Sequence, residues 1–435
     1  MVLWNRLASN MTDNFVHLHN HSMASLLDGF SSPEEMVDRV SEIEQTAIAL
    51  TDHGTMSAML QFYQYAISKN IKPIIGIEAY LTEDRFIKDK EDHIYHICLL
   101  AKNSEGLHNL YKLSDLAWNQ GFYKKPRIDF AALNDFGEGI ICLSGCLNGI
   151  VAYHLGLGNT NDAHRFNDKL YNIFRENYFI ELQPWNTKEL NEYLIDIASN
   201  DIPLVVTADT HYAREEDKVA EEINLIIAQT SEFTSKNKDI VYSKYNSSKK
   251  ISDPLKRINY LHPDRKLRYD NIDNYLMTRK NIEKRMKDLG IDRSDIYDNT
   301  LVIADMCSIE IPFNQDYFPI FSKSFDSDDF LWELAFDALE FKELSKNQEY
   351  VNRLEDELEV VKRLRFSDYF LVIWDMIRYS QSKGILVGPG RGSVGGSLLA
   401  YVLGITRIDP IQHDLLFWRF LNIELEYNPK FEVLA

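Results

Sequence analysis

Residues 15–29 read FVHLHNHSMASLLDG, a short apolar run that passes into closely spaced histidines and an acid. Amphipathic segments separate most of the later apolar runs; in SPEEMVDRVSEIE (32–44), Ser32 is the predicted N-cap and Pro33 the first helical residue. This alternation predicts a parallel sheet covered by helices, and polar residues at so many strand ends favour a closed barrel. The other runs, each typical of a buried strand, are AIALTDH (47–53), IKPIIGIEAY (71–80), HICLLA (96–101), GIICLSG (139–145), NYFIELQ (177–183) and IPLVVTADTH (202–211).

The composition indicates a multidomain protein that works inside the cell. Its 435 residues exceed the usual size of one hydrophobic core, and 45% of them are hydrophobic. No apolar run approaches the roughly 18 residues of a membrane span, so we expect no membrane partner. The four cysteines are widely scattered, which favours a reducing, cytoplasmic setting over a disulfide framework.

The pattern changes twice along the chain. Strand–helix alternation predicts one domain over residues 1–230, and the polar, lysine-rich segment 231–270 is predicted to be an insertion or linker. Residues 271–435 are predicted to form a second domain, which is mostly helical up to about residue 380 and then becomes a strand, a glycine-rich loop and an apolar helix.

The net charge of -19 argues against a nucleic-acid partner, because an acidic chain repels phosphates on average. Two features weaken that objection. Bound cations would cancel clustered carboxylates, and residues 236–268 are strongly basic, although a solvated loop explains that stretch equally well.

Side chains able to bind metal follow successive predicted strands. Imidazole, carboxylate and thiolate suit zinc, manganese or iron, and the set exceeds what one tetrahedral zinc needs. Several neighbouring ions would make bound water nucleophilic and stabilise displacement at phosphorus, so we predict a polynuclear site for phosphate ester hydrolysis. His17 is predicted to support the ligands from behind, and Asp52 to orient His53 or cap a helix. The metal-binding residue types at or near these strand ends include His19, His21, Asp28, His53, Glu78, His96, Cys146, Asp209 and His211, which are also the nine positions that the resemblance described next implies as ligands.

These motifs, in this order, resemble the polymerase-and-histidinol-phosphatase (PHP) domain that opens bacterial DNA polymerase III alpha subunits. The resemblance covers residues 14–230 and implies a distorted (β/α)7 barrel whose nine ligands hold up to three ions, zinc or manganese, with iron or magnesium as alternatives. It also implies 3′–5′ exonuclease proofreading at a primer 3′ end in DNA. In that reading the catalytic residues are Asp209, His211, His53 and Glu78.

A second resemblance lies near the C-terminus. Glycines let the backbone approach a phosphate, and an arginine adds a fork-shaped cation, although a tight strand–helix turn would also explain a bare glycine loop. The longer strings SDYFLVIWDMI (367–377) and GILVGPGRGSVGGSLLAYVLGITRIDP (384–410) resemble the start of the C-family polymerase palm. The family's loop helps to hold the incoming nucleotide triphosphate, which carries over to Gly390, Arg391, Gly392 and Ser393.

The resemblance stops where the family's catalytic aspartates should follow, since no aspartate follows Asp414. We therefore expect an incomplete nucleotidyltransferase-like palm, and no DNA polymerisation by this chain alone; magnesium-dependent synthesis would need the missing residues. A naturally split polymerase, a truncated fragment and a degenerate polymerase all explain this. A split polymerase predicts a second chain, other replisome proteins as partners, and exposed apolar surface at Leu415, Leu416, Phe417, Trp418 and Phe420.

Three functions compete at the metal site. The first is a nuclease that shortens 3′ ends for a polymerase. The second is a small-molecule phosphatase of the histidinol-phosphatase kind, which would have no need of the palm-like segment. The third is a metal-stabilised structural scaffold that braces a split polymerase, because structural and catalytic sites share ligand types.

Overall fold

The computed structural model describes residues 15–90, 92–198, 202–229, 245, 247–263, 272–313 and 319–422. The chain divides between Ile311 and Pro312 into two compact units. Within the described ranges, no helix combines the length and the apolar character needed to cross a membrane.

The first unit is built around one curled seven-stranded sheet. The strands pair in the order β1-β2-β3-β5-β6-β7, and β4 pairs with β2. Their bounds are β1 Ala47–Leu50, β2 Lys72–Leu81, β3 Tyr95–Ala101, β4 Arg127–Ile128, β5 Ile140–Leu143, β6 Tyr178–Leu182 and β7 Leu204–Val206. Six of the predicted apolar runs therefore contain strands, whereas the first run, at residues 15–21, forms only isolated bridges.

The first run nevertheless closes the sheet into a barrel. On one side, the amide of Ala49 donates to the carbonyl of His17 at 2.8 Å, next to β1. On the other side, the amide of His21 donates to the carbonyl of Thr210 at 2.7 Å, just beyond β7. The two edges of the sheet thus bond to one segment, and the fold is the mixed α/β barrel that the sequence predicts.

The parallel sheet expected from the sequence needs one correction, because β3 runs antiparallel to both β2 and β5. No helix is described between β2 and β3. A parallel connection needs a crossover, usually a helix, whereas a chain that folds straight back gives an antiparallel pair. The first residues of β3 consequently lie at the end of the barrel where the parallel strands finish.

Helices surround the barrel and bury its outer face. The first of them begins as the sequence predicts: Ser32 caps it in a reciprocal capping box with Glu35, and Pro33 is its first residue. Their bounds are α1 Pro33–Glu42, α2 Met59–Ser68, α3 Ser104–Asn119, α4 Phe130–Phe136, α5 Ile150–Gly156, α6 Thr160–Phe174, α7 Lys188–Ala198, α8 Lys218–Gln229, α9 Pro254–Leu261, α10 Arg279–Asp288 and α11 Asp295–Met306.

Helix α11 closes the end of the barrel opposite the predicted metal ligands. Ile303 of this helix is buried with Leu18 and Ile74, which lie inside the barrel. The ammonium of Lys72, at the start of β2, donates to the carbonyl of Ala304 at 2.6 Å. Residues 272–311 therefore pack in the first unit, which differs from the domain boundary predicted at residue 271; a helical pattern does not reveal which core its apolar face joins.

The predicted linker 231–270 falls mostly outside the described residues. Its described part includes α9, whose N-cap Asp253 accepts from the amide of Lys256 and whose Ile258 is buried. The described part of the predicted linker therefore contains a helix.

The second unit consists of helices around a small apolar core. Glu357 stands at its centre: the carboxylate accepts from the amides of Leu398 and Leu399 and from the hydroxyl of Ser397, and it pairs with Arg353 at 2.7 Å. The helices are α12 Ser327–Phe341, α13 Gln348–Arg363, α14 Ser367–Ser382 and α15 Leu398–Val402. No strand occurs in the described part of this unit, so the strand predicted before the glycine loop is wrong; residues 385–388 have no neighbouring strand to pair with there.

Candidate metal centre

All nine predicted ligands meet at one end of the barrel. The carboxyl ends of β1 and β7 lead into His53 and Asp209, and Glu78 lies within β2. His96 joins them because β3 is antiparallel, so that its second residue, rather than its last, lies at this end.

Glu78 is the hub of the cluster. Its buried carboxylate lies 2.6 Å from His53 Nδ1, 3.1 Å from His19 Nε2 and 3.1 Å from His96 Nδ1. Burial favours the neutral acid, yet the charges of His96, His19 and His53 together hold the pKa of Glu78 well below its usual range. Glu78 is therefore an ionised carboxylate surrounded by imidazoles.

Asp209 and Asp28 are the other two carboxylates among the nine predicted ligands. Asp209 Oδ1 lies 3.1 Å from His21 Nε2, and Asp28 Oδ2 lies 3.0 Å from His53 Nε2. The backbone of Asp209 has φ +46°, a left-handed conformation that is rare for residues other than glycine and that clusters at functional sites. His211 lies 3.8 Å from each of these two carboxylates.

The imidazoles differ in their charge. Burial, and then the charge of His53, lowers the pKa of His21 to about 3, so this ring is neutral and its lone pair is available. Burial also opposes the charging of His53, but Glu78 and Asp28 raise its pKa to about 10. A cation bound among these groups would replace such protons and balance the carboxylates instead.

The donor set fits metal ions. Three overlapping trios offer ligand atoms that lie within 4.8 Å of one another: His21–His53–His211, His19–His21–Glu78 and His53–Glu78–His96. Four buried atoms of the cluster lie 2.6–3.8 Å from an ion-pair partner but make no well-directed hydrogen bond: His19 Nε2, Asp28 Oδ1, His53 Nδ1 and Glu78 Oε2. Buried polar atoms normally have well-directed partners, so this cluster fits a bound cation.

Cys146 lies at the edge of the cluster. Its sulfur is 3.7 Å from Glu78 Oε1 and 3.8 Å from His96 Nδ1. Burial, reinforced by Glu78, raises the pKa of the Cys146 thiol, so a cation would be needed to hold it as thiolate. The preceding Gly145 has φ +90°, and a Cβ there would lie 2.7 Å from the His96 carbonyl oxygen, so glycine is what permits this turn.

Glu181 is a supporting residue that the sequence did not single out. It accepts a hydrogen bond from His19 Nδ1 at 2.7 Å, and Thr207 and Gln183 also donate to it. Such a carboxylate fixes the tautomer of a ligating histidine and raises its basicity. Its signal in the sequence was an acid inside a buried strand, FIEL (179–182), where a charge needs a partner.

Two expectations about supporting residues are wrong. His17 does not contact the predicted ligands, since its Nε2 lies 2.9 Å from the carbonyl oxygen of Met277. The chain bends at His19, so the side chains of His17 and His19 do not share a face as they would on an extended strand. Asp52 neither orients the His53 ring nor caps a helix; it accepts from the hydroxyls of Ser22 and Ser25 and so holds the turn that precedes Asp28.

The predicted triphosphate loop lies in the second unit as an exposed segment. Gly390, with φ +116°, and Gly392, with φ +71°, adopt conformations that suit glycine, and Arg391 is exposed. Ser393 lies in the 3₁₀ turn Gly392–Gly396, which precedes α15. The structure describes the loop's shape; its binding of a triphosphate stays a prediction.

The predicted apolar surface near the C-terminus is only partly present. Leu415, Leu416 and Trp418 are exposed, as predicted. Phe417 is buried, and Phe420 is partly buried against the same core, because both rings pack on the helices of the second unit.

Sequence comparison agrees with this division. Residues 17–184 match the PHP domain family, and residues 329–433 match the family described as the bacterial DNA polymerase III alpha NTPase domain. DNA polymerase III subunit alpha from Aquifex aeolicus is 34% identical over 97% of this chain, and that from Treponema pallidum is 38% identical over 97%. The chain is a relative of the DNA polymerase III alpha subunit.

The chain spans about a third of these relatives, 36% of the Aquifex subunit and 34% of the Treponema subunit. A solved structure described as a metal-dependent phosphoesterase from Bifidobacterium adolescentis aligns with 46% of this chain and 89% of its own, at 12% identity. Its TM-score of 0.30 is too low to bear on function. The nine predicted ligands all lie in the first unit, which also contains the residues that match the PHP domain.

Proposed function

We propose that the PHP domain of this chain is a metal-dependent 3′–5′ exonuclease that removes nucleotides from the end of a DNA primer. The observation that carries the proposal is the cluster of nine metal-binding side chains at one end of a barrel, whose buried members include His19, His21 and Glu78. Relatives that replicate DNA make a DNA strand a more natural substrate than a small phosphate ester.

The nine side chains would hold up to three ions, with zinc or manganese suited to the mixed nitrogen, oxygen and sulfur donors. Such ions lower the pKa of bound water and stabilise the attacking and leaving oxygens at phosphorus. Among the proposed catalytic residues, Glu78 anchors the imidazoles from within. Asp209 and His53 are partly exposed, and the buried His211 lies beside Asp209.

Exposure indicates where a substrate would approach. The side chains of His19, His21 and Glu78 are buried, whereas those of Asp28 and Asp209 are 30% and 17% exposed. His96 is 18% exposed. A terminal phosphate would therefore enter along the Asp28, Asp209 and His96 side, while the buried members keep their partners fixed.

The test is digestion of a single strand labelled at its 5′ end, with added manganese or zinc. The parent should produce a ladder that shortens from the 3′ end, and Asp209→Asn plus His211→Ala should produce none. The surface pair Asp196→Asn plus His164→Ala, on α7 and α6, repeats the same chemical changes away from the cluster and should cut like the parent.

Other results would replace the proposal. If the parent binds metal but cuts no strand, the site is better explained as a metal-stabilised brace for a polymerase. If it hydrolyses only small phosphate monoesters, the phosphatase reading holds instead. A strand with a blocked 3′ end that is still shortened would contradict the 3′–5′ polarity.

The polymerase relationship supports DNA and other replisome proteins as partners of this chain, and it supports a cytoplasmic location. We propose that Gly390, Arg391, Gly392 and Ser393 contact a nucleotide triphosphate when the remaining palm residues are supplied. A second chain as their source, and the inability of this chain alone to polymerise, both stay predictions. Nucleotide incorporation by the purified chain would refute the latter.

A further inference from the structure

Two large aromatic side chains are exposed and stacked on each other at the end of α3. The rings of Trp118 and Phe122 are nearly parallel, with an interplanar angle of 19° and a centroid distance of 5.5 Å. Trp118 is 52% exposed and Phe122 is 45% exposed. A contiguous pair of exposed, stacked rings offers a flat apolar face on which a ligand with a ring of its own can stack.

This pair is tied directly to the metal centre. The indole Nε1 of Trp118 donates to the carbonyl of Gly54 at 3.0 Å, and Gly54 directly follows His53. A Cβ on Gly54, whose φ is +62°, would lie 2.8 Å from the Pro126 side chain. The absence of a side chain there lets the chain that follows α3 pack beside the ligand loop.

Two lysines follow Phe122 within three residues of the chain. Lys124 and Lys125 are exposed, and the bridge between Tyr123 and Lys125 makes Lys124 the tip of a tight turn, where its φ is +62°. Lys125 Nζ donates to the hydroxyl of Tyr80 at 3.1 Å, and the Tyr80 ring stacks on His53 at 6.1 Å. Lys125 therefore places positive charge next to Tyr80, whose ring contacts the predicted ligand His53, in a chain whose net charge is -19.

Aromatic faces next to lysines, beside a phosphate-handling site, match single-stranded nucleic acid. Bases stack on exposed rings with little regard to sequence, and lysines neutralise the phosphates between them. A protein partner would pack on the two rings alone and would not need the neighbouring Lys124 and Lys125.

We propose that Trp118 and Phe122 form a nucleobase platform, on which the unpaired bases near the 3′ end of a DNA strand stack while Lys124 and Lys125 contact the adjoining phosphates. The inference rests on the proposed exonuclease function and adds how the strand is held. Trp118 acts here as a positioning residue, since it places the strand and does not touch the reacting phosphate.

The test compares binding of two short strands to the metal-loaded protein by fluorescence anisotropy. Both are 5′-labelled oligo(dT) strands of about six nucleotides with phosphorothioate linkages to slow hydrolysis, and one carries an abasic site in place of its last base. The parent should bind the base-bearing strand about tenfold more tightly than the abasic strand, because stacking on an aromatic ring contributes roughly that much per base.

Trp118→Ala should lose most of this discrimination, whereas Trp118→Phe, which keeps a ring but not the bond to Gly54, should keep most of it. Tyr193→Ala on α7, which removes an aromatic ring of the same 52% exposure, should discriminate like the parent. If Trp118→Ala still discriminates like the parent, or weakens both strands equally, there is no platform. A parent that binds both strands alike also overturns it.

The outcome is separable from that of the nuclease test. If the parent cuts no DNA yet discriminates through Trp118, the platform stands as a strand-binding site and the exonuclease fails. If the parent cuts DNA and the discrimination is absent, the exonuclease stands and the strand is held elsewhere.

Discussion

At the scale of single residues, the site depends on how each ligand is held as well as on which ligands are present. Glu78 lies among three imidazoles within 3.1 Å, so its charge is balanced even before any cation binds. His19 is positioned from behind by Glu181. Burial opposes the charging of His19, but Glu181 and then Asp209 raise its pKa well above its usual range. The supporting carboxylate thus governs whether this histidine offers a proton or a lone pair.

Replacing Glu181 with glutamine should weaken metal binding by about 10–100-fold, which is the usual effect of losing such a carboxylate behind a ligating histidine. Glutamine keeps the size of the side chain, so the barrel should still fold. Competition with a chelating dye measures the affinity. Glu176→Gln, an exposed change just before β6, should bind metal like the parent, and an equal affinity for Glu181→Gln would show that His19 needs no partner.

At the scale of elements, the direction of a strand and the way a helix begins decide which side chains meet. The antiparallel course of β3 brings its second residue, His96, to the end of the barrel where β1 and β7 finish. In the second unit, two residues cap the N-terminus of α15. Ser397 accepts from the amide of Ala400, and the distant carboxylate of Glu357 accepts from the amides of Leu398 and Leu399. Arg353, one turn earlier on α13, links the same carboxylate to the carbonyl of Gly396 beside the glycine loop.

Glu357→Gln should lower the free energy of unfolding of the second unit by about 2–3 kcal/mol. The amide group would turn a donor towards backbone amides that need an acceptor, and Arg353 would lose its buried partner. Urea unfolding followed by tryptophan fluorescence measures the change.

The matched control for this change is Glu359→Gln, two residues further along α13 and exposed. It should alter the stability by less than about 0.5 kcal/mol. If the two variants unfold at the same urea concentration, Glu357 is not the support that its hydrogen bonds indicate.

At the scale of the whole molecule, the chain consists of two compact units, and the metal cluster belongs to the first. A ligand that binds only the folded state stabilises it by mass action, by about 2.7 kcal/mol at a hundredfold excess over the dissociation constant. We therefore expect cations to stabilise this unit, because it holds the nine predicted ligands.

Scanning calorimetry should therefore show a transition whose midpoint rises with manganese or zinc and falls with a chelator. A second transition, from residues beyond 311, should not respond. The Asp209→Asn plus His211→Ala variant should lose the metal response while keeping the second transition. A shift of equal size in both transitions would mean that the units do not unfold separately.

The sequence alone determined the α/β class and six of the seven strands, and its resemblance to the PHP domain supplied the nine residues of the cluster. Apolar runs bounded by polar residues predict buried strands, and His-x-His or Asp-x-His at strand ends is too specific a pattern to arise from packing needs. The capping box at Ser32 was equally local, since a cap depends only on residues within one turn.

Only the tertiary structure decided the direction of β3, the closure of the barrel by residues 17–21 and the place of α11 in the first unit. Each depends on pairing between distant segments, which no local pattern encodes. The same reason explains why His17 faces Met277, why Glu181 supports His19, and why Trp118 lies beside the metal ligands: 260, 162 and 64 residues separate these contacting pairs along the chain.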